Sequence, residues 1–413
     1  MSTQPDLSAA PSSTDGASDD DGEPELPAAG PGADRLFTGP FVTILALQGA
    51  YGFAISAYLL LPKSLAQAGG TPSQIGRVMA AFGIASVLTI PLLPRILGEL
   101  GRRRALIVAS LAMAGSSVGF ALVSGPGAAA VALRGVQGVT WALMFSAAIS
   151  LASELAPPAR LAQAIGIAGG ASLAMSAVAP AVGEPLVAAL VYRALYLLAA
   201  LAALGGAVLA RRLPRHSVAH VVTPGATPHP APTALPAAPI RRLPIYLALA
   251  VGGFAYMVLF TFLGPFALQR GFQAIRAFFI AYTVAALGVR LLTGRLFDRV
   301  GHRAVGVRAL TLYGLVVAAT GVLGPGWMTA LGLAFGVAHG AVIPSLMALL
   351  LQSAPLHLRP RILGIANAAM SVGIAAVYPA GGLVGRLGYP TVFIATGALT
   401  ASAALLLRER GRP

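Results

Sequence analysis

No cysteine occurs anywhere in the 413 residues, which excludes disulfides and thiolate chemistry and leaves the redox compartment open. Lysine is nearly as scarce, with Lys63 standing alone beside many arginines. Only 10% of the residues are charged, against roughly 25% in a soluble protein. Beyond the first 35 residues the acids are Glu99, Glu154, Glu184, Asp298 and Glu409 and no others. No set of acids or histidines has metal-ligand spacing, no phosphate-cradling glycine loop is present, and no nucleophile and base are grouped. The chemistry of an enzyme, a metal centre or a cofactor site is therefore not expected.

What fills the chain instead is apolar sequence: 57% hydrophobic residues and 49 glycines. Apolar runs of about twenty residues recur along almost its whole length, the pattern of a polytopic, all-α membrane protein. A soluble alternative would need a dozen buried helices with no polar face. The net charge of +15 invites a nucleic-acid partner, but the arginines fall at helix ends rather than on one basic face. Topology and anionic lipid explain them better. Arginine in place of lysine suits a GC-rich bacterial genome, and a bacterial inner membrane is the expected location.

Residues 1–37 read as a disordered tail, rich in Ser, Pro, Gly, Asp and Glu and without the basic and apolar regions of a signal peptide. Twelve spans follow, near 40–62, 75–97, 104–124, 128–152, 161–182 and 186–210, then 244–268, 275–296, 304–323, 327–351, 361–384 and 389–407. They divide into bundles over 38–210 and 244–408, joined by a proline-rich linker over 211–243 that Arg211-Arg212 and Arg241-Arg242 bracket. Placing both termini in the cytoplasm puts about twenty arginines there. About six basic residues fall opposite, namely Lys63, Arg77, Arg193, Arg270, Arg276 and Arg386. That asymmetry satisfies the positive-inside rule.

The two halves echo each other at a shift of about 200 residues. Gly101 matches Gly301, Ala164–Ala168 matches Ile362–Ala366, and Val191-Tyr192 matches Gly388-Tyr389. Two six-helix pseudo-repeats of this kind form a rocker with its substrate site between them.

Between the eighth and ninth spans runs Gly294-Arg295-Leu296-Phe297-Asp298-Arg299-Val300-Gly301-His302-Arg303. It resembles the signature loop of the major facilitator superfamily, with His302 in place of a basic residue. The resemblance implies the major facilitator fold and gives Asp298 the role of a latch. Gly294, Arg295, Arg299, Gly301 and Arg303 would shape its loop, and the carboxylate would meet helix N-termini and arginines of the opposite half. The first-half copy, Pro94 to Arg104, has Gly98 where the family has its aspartate and Glu99 one place late.

In the fourth span, Leu133-Arg134-Gly135-Val136-Gln137-Gly138 resembles the R-x-x-Q-G motif of proton-coupled members. It marks Arg134 and Gln137 as candidates for coupling or substrate charge; the competing reading has Arg134 snorkel to the outer interface. Gly170 through Pro180 to Gly183 resembles the glycine- and proline-rich motif of the family's exporters, with Ala179 and Glu184 where glycines stand, and Pro379-Ala380-Gly381-Gly382 is its counterpart.

Glu184 lies near the outer end of the fifth span at a level close to that of Arg134. The two would make a proton-exchanging pair, unless Glu184 sits in loop water. His339 in the tenth span is a second titratable candidate, or a packed histidine. Gln48 and Tyr51, Tyr256, Tyr282 and Asn367 line a moderately polar centre, or bond helix to helix. The sequence thus reads as a monomeric secondary transporter that exports a small molecule in exchange for protons, without a cofactor and with the bilayer as its surroundings. A facilitator or importer of a small polar metabolite, and a non-transporting receptor on this fold, are the alternatives.

Overall fold

Proline and glycine decide where the helices of this chain begin, bend and end. The computed structural model describes residues 36–157, 160–214, 239–292, 297, 299–352, 354–355 and 358–408. The first half comprises α1 (Gly39–Gln67), α2 (Pro72–Leu100), α3 (Arg102–Leu122), α4 (Ala128–Leu155), α5 (Leu161–Ala189) and α6 (Tyr192–Arg211). The second comprises α7 (Pro239–Gln269), α8 (Arg276–Leu292), α9 (His302–Leu323), α10 (Met328–Gln352), α11 (Ile362–Leu387) and α12 (Tyr389–Leu407). No strand occurs among the described residues. Helices alone suit such apolar runs, because in hydrocarbon every backbone N–H and C=O must bond within its own segment.

Eleven of these helices are long and apolar enough to cross a membrane. The other, α8, has 17 described residues; its expected continuation to 296 lies outside the described residues, as do the tail to 35 and the linker core over 215–238. Thr71 starts α2 with a reciprocal cap, its hydroxyl accepting from the Gln74 amide while the Gln74 side chain accepts from the Thr71 N–H. Pro62 follows a 3-10 turn over Ala57–Leu60 in α1, and Pro91 lies in another over Ile90–Leu92 in α2, bends expected where a proline removes a helix donor. Gly101 and Gly301 open α3 and α9 at φ +72° and +88°, a conformation that glycine adopts freely. The repeat seen in the sequence is therefore a repeated backbone turn.

Contacts within one half recur in the other: α1 packs on α5 and α6 as α7 packs on α11 and α12, α2 on α4 as α8 on α10, and α3 on α4 and α6 as α9 on α10 and α12. Between the halves α2 meets α11 and α5 meets α8, two crossings that exchange under a shift of six helices. This is a pseudo-twofold arrangement of two six-helix units. Small residues let the backbones approach. On α10, a Cβ added at Gly332, Gly336 or Gly340 would run into the carbonyl oxygens of Phe278, Tyr282 and Ala286 on α8.

The halves meet most tightly toward the side away from the described chain ends, here the distal side. A Cβ at Gly76 of α2 would lie 3.0 Å from the Val377 carbonyl oxygen, and one at Gly83 2.9 Å from the Ala375 nitrogen. On the other crossing, a Cβ at Gly170 of α5 has Leu287 of α8 at 3.8 Å, and at Gly166 and Gly169 it meets nothing within 4 Å.

Candidate transport site and distal gate

Glu184 is the one carboxylate buried deep in a described span. The sequence ends the fifth span near 182 and leaves Glu184 a possible place in loop water. The helix instead continues through Pro180 and Pro185 to Ala189, and Glu184 is 7% exposed. Its Oε1 accepts from the Ile275 N–H at 2.7 Å and its Oε2 from the Arg276 N–H at 3.0 Å. Arg276 opens α8, so a carboxylate of the first half satisfies the free donors of a helix N-terminus in the second, where the helix dipole also favours negative charge.

Lys63, near the distal end of α1, completes this arrangement. Its Nζ is 3.7 Å from Glu184 Oε1, and it donates to the Gln273 carbonyl oxygen. Both side chains are buried. Lys63 also backs Gly264 of α7, whose added Cβ would sit 3.1 Å from the Lys63 Cβ. A vestibule of about 410 Å³ lined by Gln67, Tyr192 and Arg276 opens above the pair. Sequence reasoning counts Lys63 as a topology charge and misses its role. The available signal was a lone ammonium at the end of an apolar run, behind Pro62.

Arg134 does not snorkel. It is 6% exposed, with its guanidinium 4.6 Å from the Phe82 ring centre and 5.7 Å from that of Tyr58, and its Nη1 donates to Gln137 Oε1 at 2.7 Å. The spacing of three residues on α4 puts both on one face, and Thr140 continues that face, accepting from the Tyr51 hydroxyl at 2.9 Å. Trp141 stacks beside Tyr51, with ring centres 6.5 Å apart. Arg134 and Glu184, adjacent in level by sequence, thus have different partners.

The counterpart in the second half is aromatic. His339 Nδ1 and the Tyr282 hydroxyl are 2.8 Å apart, so this histidine bonds a side chain of α8 rather than a helix backbone. Tyr256 stacks on His339 at 5.3 Å and on Phe260 at 4.1 Å. Tyr256, His339 and Asn367 are half-buried, whereas Gln48 is buried and its backbone carbonyl oxygen accepts from the Ser172 hydroxyl on α5.

Of the expected latch, Gly294, Arg295 and Asp298 lie outside the described residues. Arg299 is exposed, Gly301 forms the turn, and Arg303 donates to the Leu407 carbonyl oxygen at 3.0 Å. Glu99 pairs with Arg95, at 2.8 Å, on an exposed helix face, and Glu154 pairs with Arg102 at 2.7 Å. Among the described residues no group of three or more His, Asp or Glu side chains could hold a metal ion.

The family model of the Major Facilitator Superfamily matches residues 41–357 and 279–413. The chain belongs to this superfamily. Its members' fold is also that of two solved structures. The human organic anion transporter MFSD10 (TETRAN) superposes with a TM-score of 0.64 at 17% identity, over 89% of this chain and 99% of the other. A mutant form of the nucleoside transporter NupG gives 0.73 at 14% identity, over 89% and 98%. No curated protein matches the chain by sequence. This major facilitator protein is accordingly a multi-pass membrane transporter and not an enzyme, as the apolar runs and the signature loop imply.

Proposed function

We propose that this protein moves a small molecule across a bacterial inner membrane by alternating access, with both termini cytoplasmic, and exports it in exchange for protons. The observation that carries the reading is the cross-half closure on the distal side, where Glu184 and Lys63 of one bundle hold Gln273, Ile275 and Arg276 of the other. A lock made of one carboxylate, one ammonium and two backbone donors opens as a unit, which is what a rocking pair of bundles requires.

Proton exchange draws on the same residue. Neutralising Glu184 removes the charge that both Lys63 and the α8 N-terminus hold, so a proton arriving from the distal side weakens the lock. The signature-loop residues Gly294, Arg295, Asp298, Arg299, Gly301 and Arg303 would form the opposing cytoplasmic latch. The export motif around Pro180 supports the direction. The bundles 38–210 and 244–408 are the rocking bodies, and the segment 211–243 is their tether.

A second reading, a facilitator or importer of a small polar metabolite, is favoured by the lack of a carboxylate at mid-membrane among the described residues. Proteoliposomes separate the two. With a candidate substrate that shows counterflow, export by exchange gives lumenal pH changes tied to substrate movement and lost in Glu184→Gln. Counterflow without any proton movement selects the facilitator, and no counterflow with any of a broad metabolite panel overturns transport.

A further inference from the structure

Among the buried side-chain donors of the first half without a partner at hydrogen-bond distance are Arg134 Nε, Gln137 Nε2 and Gln48 Nε2. The Gln137 amide cannot be turned round to hide its donor, because its oxygen already accepts from Arg134. Each carboxylate among the described residues is engaged elsewhere: Glu184 with Lys63, Glu99 with Arg95 and Glu154 with Arg102. A buried guanidinium with aromatic faces and one amide for company is costly in a membrane interior unless an anion visits it.

The second half presents another cation to the same centre. On α8, Ala286 backs Gly340 of α10, and Leu287 reaches Gly170 of α5. Arg290 lies four residues after the first and three after the second. At about 100° per residue it points between these two directions, toward the space between the halves. It is exposed and lies about two helical turns beyond Tyr282 on α8, whose hydroxyl meets His339.

We propose that the transported molecule is an organic anion. Arg134 and Gln137 take its acidic group, the rings of Tyr58, Phe82, Tyr256 and His339 take its apolar body, and Arg290 supplies the second positive charge from the opposite half. This rests on the transport reading above and names the substrate class of that site. The donors left open accept carboxylate, sulfonate or phosphate oxygens alike, and a guanidinium beside an amide offers several of them at once.

The test reads binding apart from transport. Trp141 neighbours Tyr51 and Phe82, so in the full-length Trp327→Phe protein its emission reports occupancy of the site. Titration with 4-phenylbutyrate, its neutral amide and the matching amine is expected to show saturable quenching by the acid, at least ten-fold weaker binding of the amide, and none of the amine. Arg134→Gln should abolish the preference for acid over amide, Arg134→Lys should restore part of it, and Arg290→Gln, at an exposed position with little bearing on folding, should weaken the acid several-fold. Acid bound no better than amide, no binding of the acid at millimolar concentration, or unchanged acid binding in both Arg134→Gln and Arg290→Gln overturns the proposal. Arginine-dependent binding of the acid without counterflow of the same acid in proteoliposomes overturns the transport reading and leaves the site standing.

Discussion

Lys63 and Glu184 stand 3.7 Å apart on α1 and α5 of one half, yet both fasten on the same turn of backbone, Gln273 to Arg276, in the other half. An ion pair confined to one bundle would be indifferent to rocking. This one must let go of α8 whenever the distal side opens, and its energy therefore belongs to the conformational equilibrium.

Glu184→Gln should move that equilibrium toward distal-side opening. The amide keeps one acceptor but loses the ionic contact and one of two charge-assisted bonds, on the order of 2 kcal/mol, or roughly 30-fold in population. Since the chain has no cysteine of its own, spin labels at Ala188→Cys and Ala274→Cys read the distance directly. Lengthening of that distance is expected. Lys63→Met should give a smaller change of the same sign, because the two backbone donors to Glu184 remain. An unchanged distance in Glu184→Gln would remove the gate.

Gly381→Val tests the same closure by shape rather than charge. A Cβ at Gly381 would come 2.5 Å from the Pro72 carbonyl oxygen and 3.1 Å from Ser73 Cα, and backbone atoms cannot yield as a flexible side chain does. Valine there should hold α2 and α11 apart at their distal ends and lengthen the Ala188–Ala274 label distance with the lock residues intact. A distance equal to that of the unsubstituted protein would mean that this crossing is not part of the gate.

Gly336→Leu is the contrasting case within one half. Its Cβ would collide with Ala285 Cβ at 2.7 Å and with the Tyr282 carbonyl, so α8 and α10 must separate, at a cost of about 1–3 kcal/mol. The expected outcome is a thermal transition in detergent lowered by several degrees, together with loss of the Tyr282–His339 bond, while the inter-half label distance stays as it was. A lowered transition accompanied by a large change in that distance would contradict the division into two rigid halves.

The fold was legible because each span carries its own signal. Apolar length, flanking Pro and Gly, and the repeated Gly101 and Gly301 turns need no knowledge of neighbours. Arg134 and Gln137 were legible for a similar reason, since spacing on one helix makes them face together. Partners across helices were not. Nothing local tells that Lys63 reaches Gln273, that His339 meets Tyr282 rather than a carbonyl, or that Arg290 points between α5 and α10. The end of α5 was misplaced for a definite cause: Gly183, Glu184 and Pro185 read as a break, whereas packing against α8 holds the helix through two prolines.

Asp298→Asn and Glu184→Gln should act in opposite directions. In sequence Asp298 falls between α8 and α9, beyond the end of α8 opposite the Arg276 terminus that Glu184 caps. A carboxylate that latches the cytoplasmic side stabilises the distal-open state, and one that locks the distal side stabilises the reverse. Removing the first should shorten the Ala188–Ala274 distance distribution toward its closed limit, and removing the second should lengthen it. The double variant should return near the starting distribution, because the two losses bias one equilibrium from its two ends. Additive displacement in a single direction would show that the two acids do not oppose each other, and the latch assignment of Asp298 would fall with it.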